Sequence, residues 1–246
     1  MTFKAQLPVD AAERAKACAL HSTDTEEGAI NRREDGLIRG LSDEVRKQAY
    51  YASPRIPSPL ARRYYRLFGD GRRLFDLGCG TGEFGRYRPS DDYEVHGVDM
   101  DAGAIEVARD YEITCLHDLS QRSLPYPDGF FDGVLAKDVL EHLIQPDTVV
   151  REIRRILKPG GTVIASVVIA RPRRVWADYT HMRGFTRETA RGLFEDNGFV
   201  VEAVWKMGGV PLTARFDLLD VVPKILRFQP FDALWTSSWE LRATVR

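Results

Sequence analysis

Cysteine is scarce in this chain of 246 residues, and the three present, Cys18, Cys79 and Cys115, are odd in number and far apart. Such spacing excludes a disulfide framework and a cysteine zinc cluster, and it fits a reducing compartment. No stretch approaches the roughly 20 apolar residues that span a bilayer. Residues 1–8 also lack the apolar run of a signal peptide, so a cytoplasmic location is expected. Neither charge is in excess, since 35 Lys and Arg face 36 Asp and Glu. A protein that relies on phosphate contacts normally carries a basic surplus, so nucleic acid is not the expected partner.

What is present is a foldable amount of apolar material, 43% of the residues, enough for one full core. Residues 1–55 are polar and show no strand pattern. Asp10 and Ser42 could each cap a short helix, with a charged loop at 22–35 between them. The prolines Pro54, Pro57 and Pro59 form a stiff connector ahead of an amphipathic helix over 60–68. The expected organisation is therefore an N-terminal helical extension over 1–55 and a main domain over 56–246.

From residue 72 onward, short apolar runs alternate with helical patterns. Strands are expected over 73–76, 94–99, 112–117, 131–137, 161–169 and 200–206, with a closing strand over 239–245. Helices are expected over 82–87, 102–110, 145–157 and 186–197, the last capped by Thr186. This alternation predicts an α/β fold, a mostly parallel sheet covered on both faces. Ligands in such sheets lie beyond the C-terminal strand ends, which is where functional residues are sought. Residues 208–238 break the pattern. Leu212, Phe216, Leu219, Val222 and Leu226 form an apolar stripe there, read as an insert that packs on the core, walls a pocket, forms a homodimer face or touches a membrane surface.

Gly78, Gly80 and Gly82 follow the first strand at alternate positions, letting the backbone turn tightly and approach a ligand. Gly80, Gly82 and Gly85 also fit the dinucleotide pattern G-x-G-x-x-G, and Asp99, nineteen residues after Gly80, fits its ribose-binding acid. The neighbouring charges decide between the two uses. Asp76 precedes the loop and Glu83 follows it, so a pyrophosphate would be repelled where an ammonium and a sulfonium would be favoured.

Here the sequence resembles a known family. Phe75-Asp76-Leu77-Gly78-Cys79-Gly80-Thr81-Gly82 is similar to the first motif of class I S-adenosylmethionine-dependent methyltransferases, in particular the small-molecule, type 11-like ones. Gly97-Val98-Asp99-Met100-Asp101, Phe130-Phe131-Asp132-Gly133-Val134, Leu140-Glu141-His142-Leu143 and Leu157-Lys158-Pro159-Gly160-Gly161 resemble later motifs of that family, in its order. The resemblance covers about residues 70–205 and implies a Rossmann-like, seven-stranded sheet. It also implies S-adenosyl-L-methionine as cofactor, with S-adenosyl-L-homocysteine as product.

Position by position, the resemblance sets Asp76, Gly78, Cys79 and Gly80 beside the methionine part of the cofactor and Asp99 on the ribose hydroxyls. Met100 would lie on the adenine face, Asp118 on the adenine amino group with Leu119 beside it, and Lys137 would offer a backbone contact. A hydroxyl acceptor must lose a proton, which a histidine can take near neutral pH. His142 and His181 stand where that is possible, with Tyr179 and Arg183 as substrate contacts. No metal is assigned, although Asp138, Glu141 and His142 would share one face of a helical turn as a minority metal set. The expected activity is O-methylation of a small-molecule hydroxyl on a sugar, phenol or polyketide. A lipid-linked or quinone acceptor is the alternative, and a nicotinamide oxidoreductase or a non-catalytic scaffold stand further off.

Overall fold

The computed structural model describes residue 56 and residues 58–108, 111, 113–116, 119, 123–208 and 236–246. The expected N-terminal helices, Asp118, and most of the 208–238 insert lie outside them. A compact unit runs from Pro54 to Arg246.

Helix α1 (Ser58–Phe68) buries Leu60, Ala61, Tyr64, Tyr65 and Phe68, a single stripe at helical spacing. Strand β1 (Arg73–Leu77) leads through the glycine loop into the one-turn helix α2 (Glu83–Arg86), which stops shortly before Pro89. Then come β2 (Glu94–Asp99), α3 (Ala102–Val107), β3 (Ile113–Leu116) and β4 (Phe131–Lys137). A 3-10 turn at Leu140–His142 precedes α4 (Pro146–Ile156), β5 (Leu157–Val168), α5 (Pro172–Val175) and α6 (Arg187–Glu195). The antiparallel pair β6 (Phe199–Gly208) and β7 (Thr236–Val245) closes the fold.

These strands form one seven-stranded sheet in the order β3-β2-β1-β4-β5-β7-β6. All pairings from β3 to β5 are parallel, while β7 runs antiparallel to both β5 and β6. The chain steps outward from β1 toward β3, then returns to β4 on the other side. Right-handed crossovers in opposite directions place α2 and α3 on one face and α4 on the other. Tyr65 of α1 stacks on Phe84 of α2 with ring centroids 4.3 Å apart, so α1 shares that face. The order reverses between β1 and β4, and the crevice for a ligand lies at that point.

The start of β5 differs from expectation for a physical reason. Strand β5 begins at Leu157, because its register jumps from Phe131↔Leu157 to Gly133↔Thr162 and the intervening Lys-Pro-Gly-Gly bulges out of the ladder. Helix α6 is capped by Thr186 as expected, and Thr189 returns the bond, so the cap is reciprocal. Beneath the sheet edge, Phe75, Tyr126, Phe130 and Phe131 enclose the buried His96, whose Nε2 meets Glu94 Oε1 at 2.7 Å. His96 therefore belongs to the core.

Candidate active site

The glycine loop is held by backbone bonds to the neighbouring strand. Gly78 and Cys79 both donate their N–H to the Val98 carbonyl, each at 2.9 Å. Gly78 has φ +74°, and a Cβ there would run into the Val139 side chain. No other residue can therefore both turn here and press the loop against the chain leaving β4.

Asp99, at the end of β2, clamps this loop. Its Oδ2 accepts from Gly80 N at 2.9 Å and its Oδ1 from Asp101 N at 3.0 Å. Asp101 in turn caps α3 by accepting from Ala104 N. Each Asp99 oxygen keeps a second lone pair, so the carboxylate can still take two hydroxyl donors. Met100 next to it is 72% exposed and so presents an open apolar face beside the clamp. Leu119 is half-buried. The Cys79 thiol is buried and donates to the Gly80 carbonyl at 3.8 Å, and burial pushes its pKa up, which keeps it protonated.

Asp76 is almost fully buried and accepts a hydrogen bond from the Tyr111 hydroxyl. Burial pushes its carboxyl up to about 7, opposed by the Tyr111 bond and reinforced by Asp99 and Glu83. Glu83 is buried too, with Thr81 Oγ1 donating to it at 2.7 Å. Three carboxylates thus surround the loop, an environment for a cation rather than a phosphate. The ammonium of Lys137 pairs with Asp138.

Beyond β4, Asp138 adopts φ +54°, a left-handed conformation costly for a residue with a side chain. Its N–H donates to Ser166 O, its carboxylate accepts from Ser166 Oγ at 2.7 Å, and Lys137 holds the other oxygen. Glu141 is buried, with Oε1 accepting from Val168 N at 3.1 Å and its carbonyl accepting from Met182 N at 2.8 Å. Burial, with Asp138 adding to it, pushes the Glu141 carboxyl up to about 8, and its Oε2 has no hydrogen-bond partner.

His142 and His181, 39 residues apart in sequence, lie with ring centroids 4.7 Å apart. His181 Nδ1 lies 2.8 Å from the Val175 carbonyl, which can only accept, so this nitrogen carries the proton. His142 Nδ1 lies 2.9 Å from Thr180 Oγ1, whose own proton goes to Asp178 Oδ1 at 2.6 Å. Here too Nδ1 is the donor, so Nε2 is the basic nitrogen of both rings. Against the burial that would raise it, the two Thr180 bonds hold Asp178 below the usual carboxylate range.

Arg183 donates to the Ile144 carbonyl at 2.6 Å and so binds its loop to the turn after β4. Tyr179 is 78% exposed, and Trp176, Met182 and Ile144 are exposed around the same histidines, forming an apolar rim.

The expected metal set needs correction. Residues at i, i+3 and i+4 converge only on an α-helix, whereas Leu140–His142 is a 3-10 turn and Asp138 precedes it in a left-handed conformation. The Asp138 carboxylate is taken by Lys137 and Ser166. Among the described residues, it is Glu141, His142 and His181 that bring one donor atom each within 4.8 Å of one another. Tyr111 touches Asp76 and Thr180 touches His142 without either being singled out by sequence reasoning, which notes Asp178 only as one of several polar residues after β5.

The profile of a family described as "Methyltransferase domain" matches residues 75–165. A ubiquinone biosynthesis O-methyltransferase of Alkalilimnicola ehrlichii is 32% identical over 110 residues, 42% of this chain and 44% of that protein. A 27-O-demethylrifamycin SV methyltransferase of Amycolatopsis mediterranei is 30% identical over 161 residues, 61% of this chain and 58% of that protein. The matched region thus spans less than two thirds of either relative. A SAM-dependent methyltransferase from Archaeoglobus fulgidus superposes with a TM-score of 0.59 at 20% identity, covering 85% of this chain and 99% of that one. Residues 75–165 thus match a methyltransferase domain, and the chain shares the fold of that SAM-dependent methyltransferase, with a carboxylate-ringed glycine loop at the sheet's switch point.

Proposed function

We propose that the chain transfers the methyl group of S-adenosylmethionine to a hydroxyl of a small molecule. In this reading Asp76 and the backbone of residues 78–80 hold the methionine end, Asp99 the ribose, and Met100, Asp118 and Leu119 the adenine. The acceptor oxygen attacks the methyl carbon in line, the carbon–sulfur bond breaks, and S-adenosylhomocysteine leaves. The acceptor's proton passes to the Nε2 of His181 or His142. The observation that carries this reading is the pair of adjacent imidazoles, each with Nδ1 committed as a donor, beside the turn that touches the glycine loop.

The exposed rim of Ile144, Trp176, Tyr179 and Met182 favours a phenolic or polyketide-type acceptor over a sugar. The activities named for the two relatives, one in ubiquinone biosynthesis and one on a rifamycin, fit an apolar acceptor. Strand β6 runs parallel to β5, so Gly208 and Thr236, on either side of the insert, lie at the same sheet edge as the glycine loop. The insert is thereby a candidate for covering the acceptor, or for a homodimer contact. No helix among the described residues is long and apolar enough to cross a membrane.

Two measurements test this reading. S-adenosylhomocysteine is expected to raise the melting temperature and NADH to leave it unchanged, since only a ligand of the native state stabilises it. The reverse pattern would return the loop to the dinucleotides. A labelled-methyl screen over hydroxylated aromatics and polyketides is expected to yield O-methylated product. Methylation on nitrogen or carbon, or no transfer to any acceptor, would refute the reading.

A second reading rests on the unpartnered Glu141 Oε2 beside two oriented imidazoles. One carboxylate and two imidazoles suit a divalent ion such as zinc or manganese, which would polarise the acceptor oxygen. Under the proton-acceptor reading, turnover is expected to survive exhaustive chelation. Loss of turnover that returns on adding zinc or manganese would favour the ion instead.

A further inference from the structure

Tyr111 belongs to none of the motifs that carry the family resemblance, yet it touches the cofactor loop at three points. Its hydroxyl donates to the Asp76 carboxylate. Its ring lies against Gly82 and Gly97, where an added Cβ would come within 2.9 Å of Cε2 and 3.0 Å of Cδ1 respectively. The ring is thereby wedged between the end of the loop and the middle of β2, and is itself buried.

We propose that Tyr111 is a positioning residue of the cofactor site, holding the Asp76 carboxylate in place and in its charged form for the ammonium of the methionine end. This rests on the reading that Asp76 borders that part of the cofactor. The need for such a residue follows from the surroundings of Asp76. Asp99 at the end of β2 and Glu83 on α2 are like charges, Cys79 in the loop and Tyr65 on α1 are neutral, and Lys137 on β4 is the cation that favours ionisation. Lys137 is also shared with Asp138. Burial and the two acids push Asp76 up to about 7, and the Tyr111 bond is the largest influence pulling it down. Tyr111 itself is raised by burial first and then by Asp76, so it remains a protonated donor.

The sign follows directly. A carboxyl that ionises near pH 7 binds an ammonium well above that pH, and affinity falls about tenfold per unit below it. Without the Tyr111 hydroxyl the carboxyl ionises only at a higher pH, so the fall begins sooner as pH is lowered.

The experiment is calorimetric titration of the full chain with S-adenosylhomocysteine from pH 5.5 to 8.5, for the native protein, Tyr111→Phe and Asp76→Asn. The ligand's own amine titrates alike in all three, so differences between the profiles belong to the protein. Tyr111→Phe is expected to bind roughly tenfold more weakly at pH 7 and to approach native affinity at pH 8.5. Asp76→Asn is expected to be weak throughout and to lose the break near neutrality. Tyr111→Phe with a native profile, or with equal weakening at every pH, would overturn the proposal while leaving the role of Asp76 intact. Native affinity and profile in Asp76→Asn would overturn both. Should Tyr111→Phe not fold, a break near neutrality that survives in Asp76→Asn would still refute the proposal.

Discussion

Asp99→Ala is expected to weaken S-adenosylhomocysteine binding at least about 100-fold. Two hydroxyls donating to an ionised carboxylate contribute roughly 1.5–3 kcal/mol each, and about 1.4 kcal/mol is a factor of ten. The structure adds a second cost, since the same carboxylate accepts Gly80 N and Asp101 N and so ties the loop to the start of α3. The alanine variant therefore loses some loop order before any ligand arrives, and a lowered melting temperature is expected as well. Asp99→Asn separates the contributions, because an amide NH2, a donor, replaces one of the two acceptor oxygens while the shape is kept. Calorimetry of both variants, read beside their melting temperatures, checks this. Unchanged affinity in Asp99→Ala would remove the ribose role.

His181→Ala is expected to lower turnover by roughly 100-fold or more while changing cofactor affinity little, in line with the 10²–10⁴ that a positioned proton acceptor supplies. His142→Ala is expected to have a smaller but similar effect. Because the rings lie 4.7 Å apart, the double variant should lose less than the product of the single losses, as groups acting together do. Single-turnover rates and S-adenosylhomocysteine affinity, measured on the three variants, separate chemistry from binding. Normal turnover in His181→Ala together with collapse in His142→Ala would move the proton to His142. Normal turnover in both would remove the histidines from the reaction.

The sheet was readable because its strands are short apolar runs punctuated by glycines and helical stripes, and the residues that follow strands β1, β2 and β4 occupy the predicted edge. Asp99 was legible for the same reason, as an acid at a strand end beside a glycine loop. Tyr111 was not, because its partner Asp76 lies 35 residues earlier and the link is one side-chain hydrogen bond, which leaves no periodic trace. The Asp138 reading failed because spacing alone does not distinguish an α turn from a 3-10 turn, and the left-handed backbone at Asp138 has no signature in its residue type. Glu141 could have been suspected as buried, since Leu140 and Leu143 flank it. The closeness of His142 to His181 depends on how the chain after β5 folds back, which depends on bonds from Met182, Arg183 and Thr180 that no local pattern announces.

Those three bonds join the turn after β4 to the loop after β5 at Glu141, Ile144 and His142. On the proposed function, acceptor preference is consequently not a modular property of either segment. Grafting residues 170–184 from a relative would disturb the donors to the Glu141 and Ile144 carbonyls and remove Thr180 from beside the His142 ring, and grafting residues 138–144 alone would unseat the loop in turn. A redesign of the surface around His142 and His181 has to exchange both segments together, as one piece.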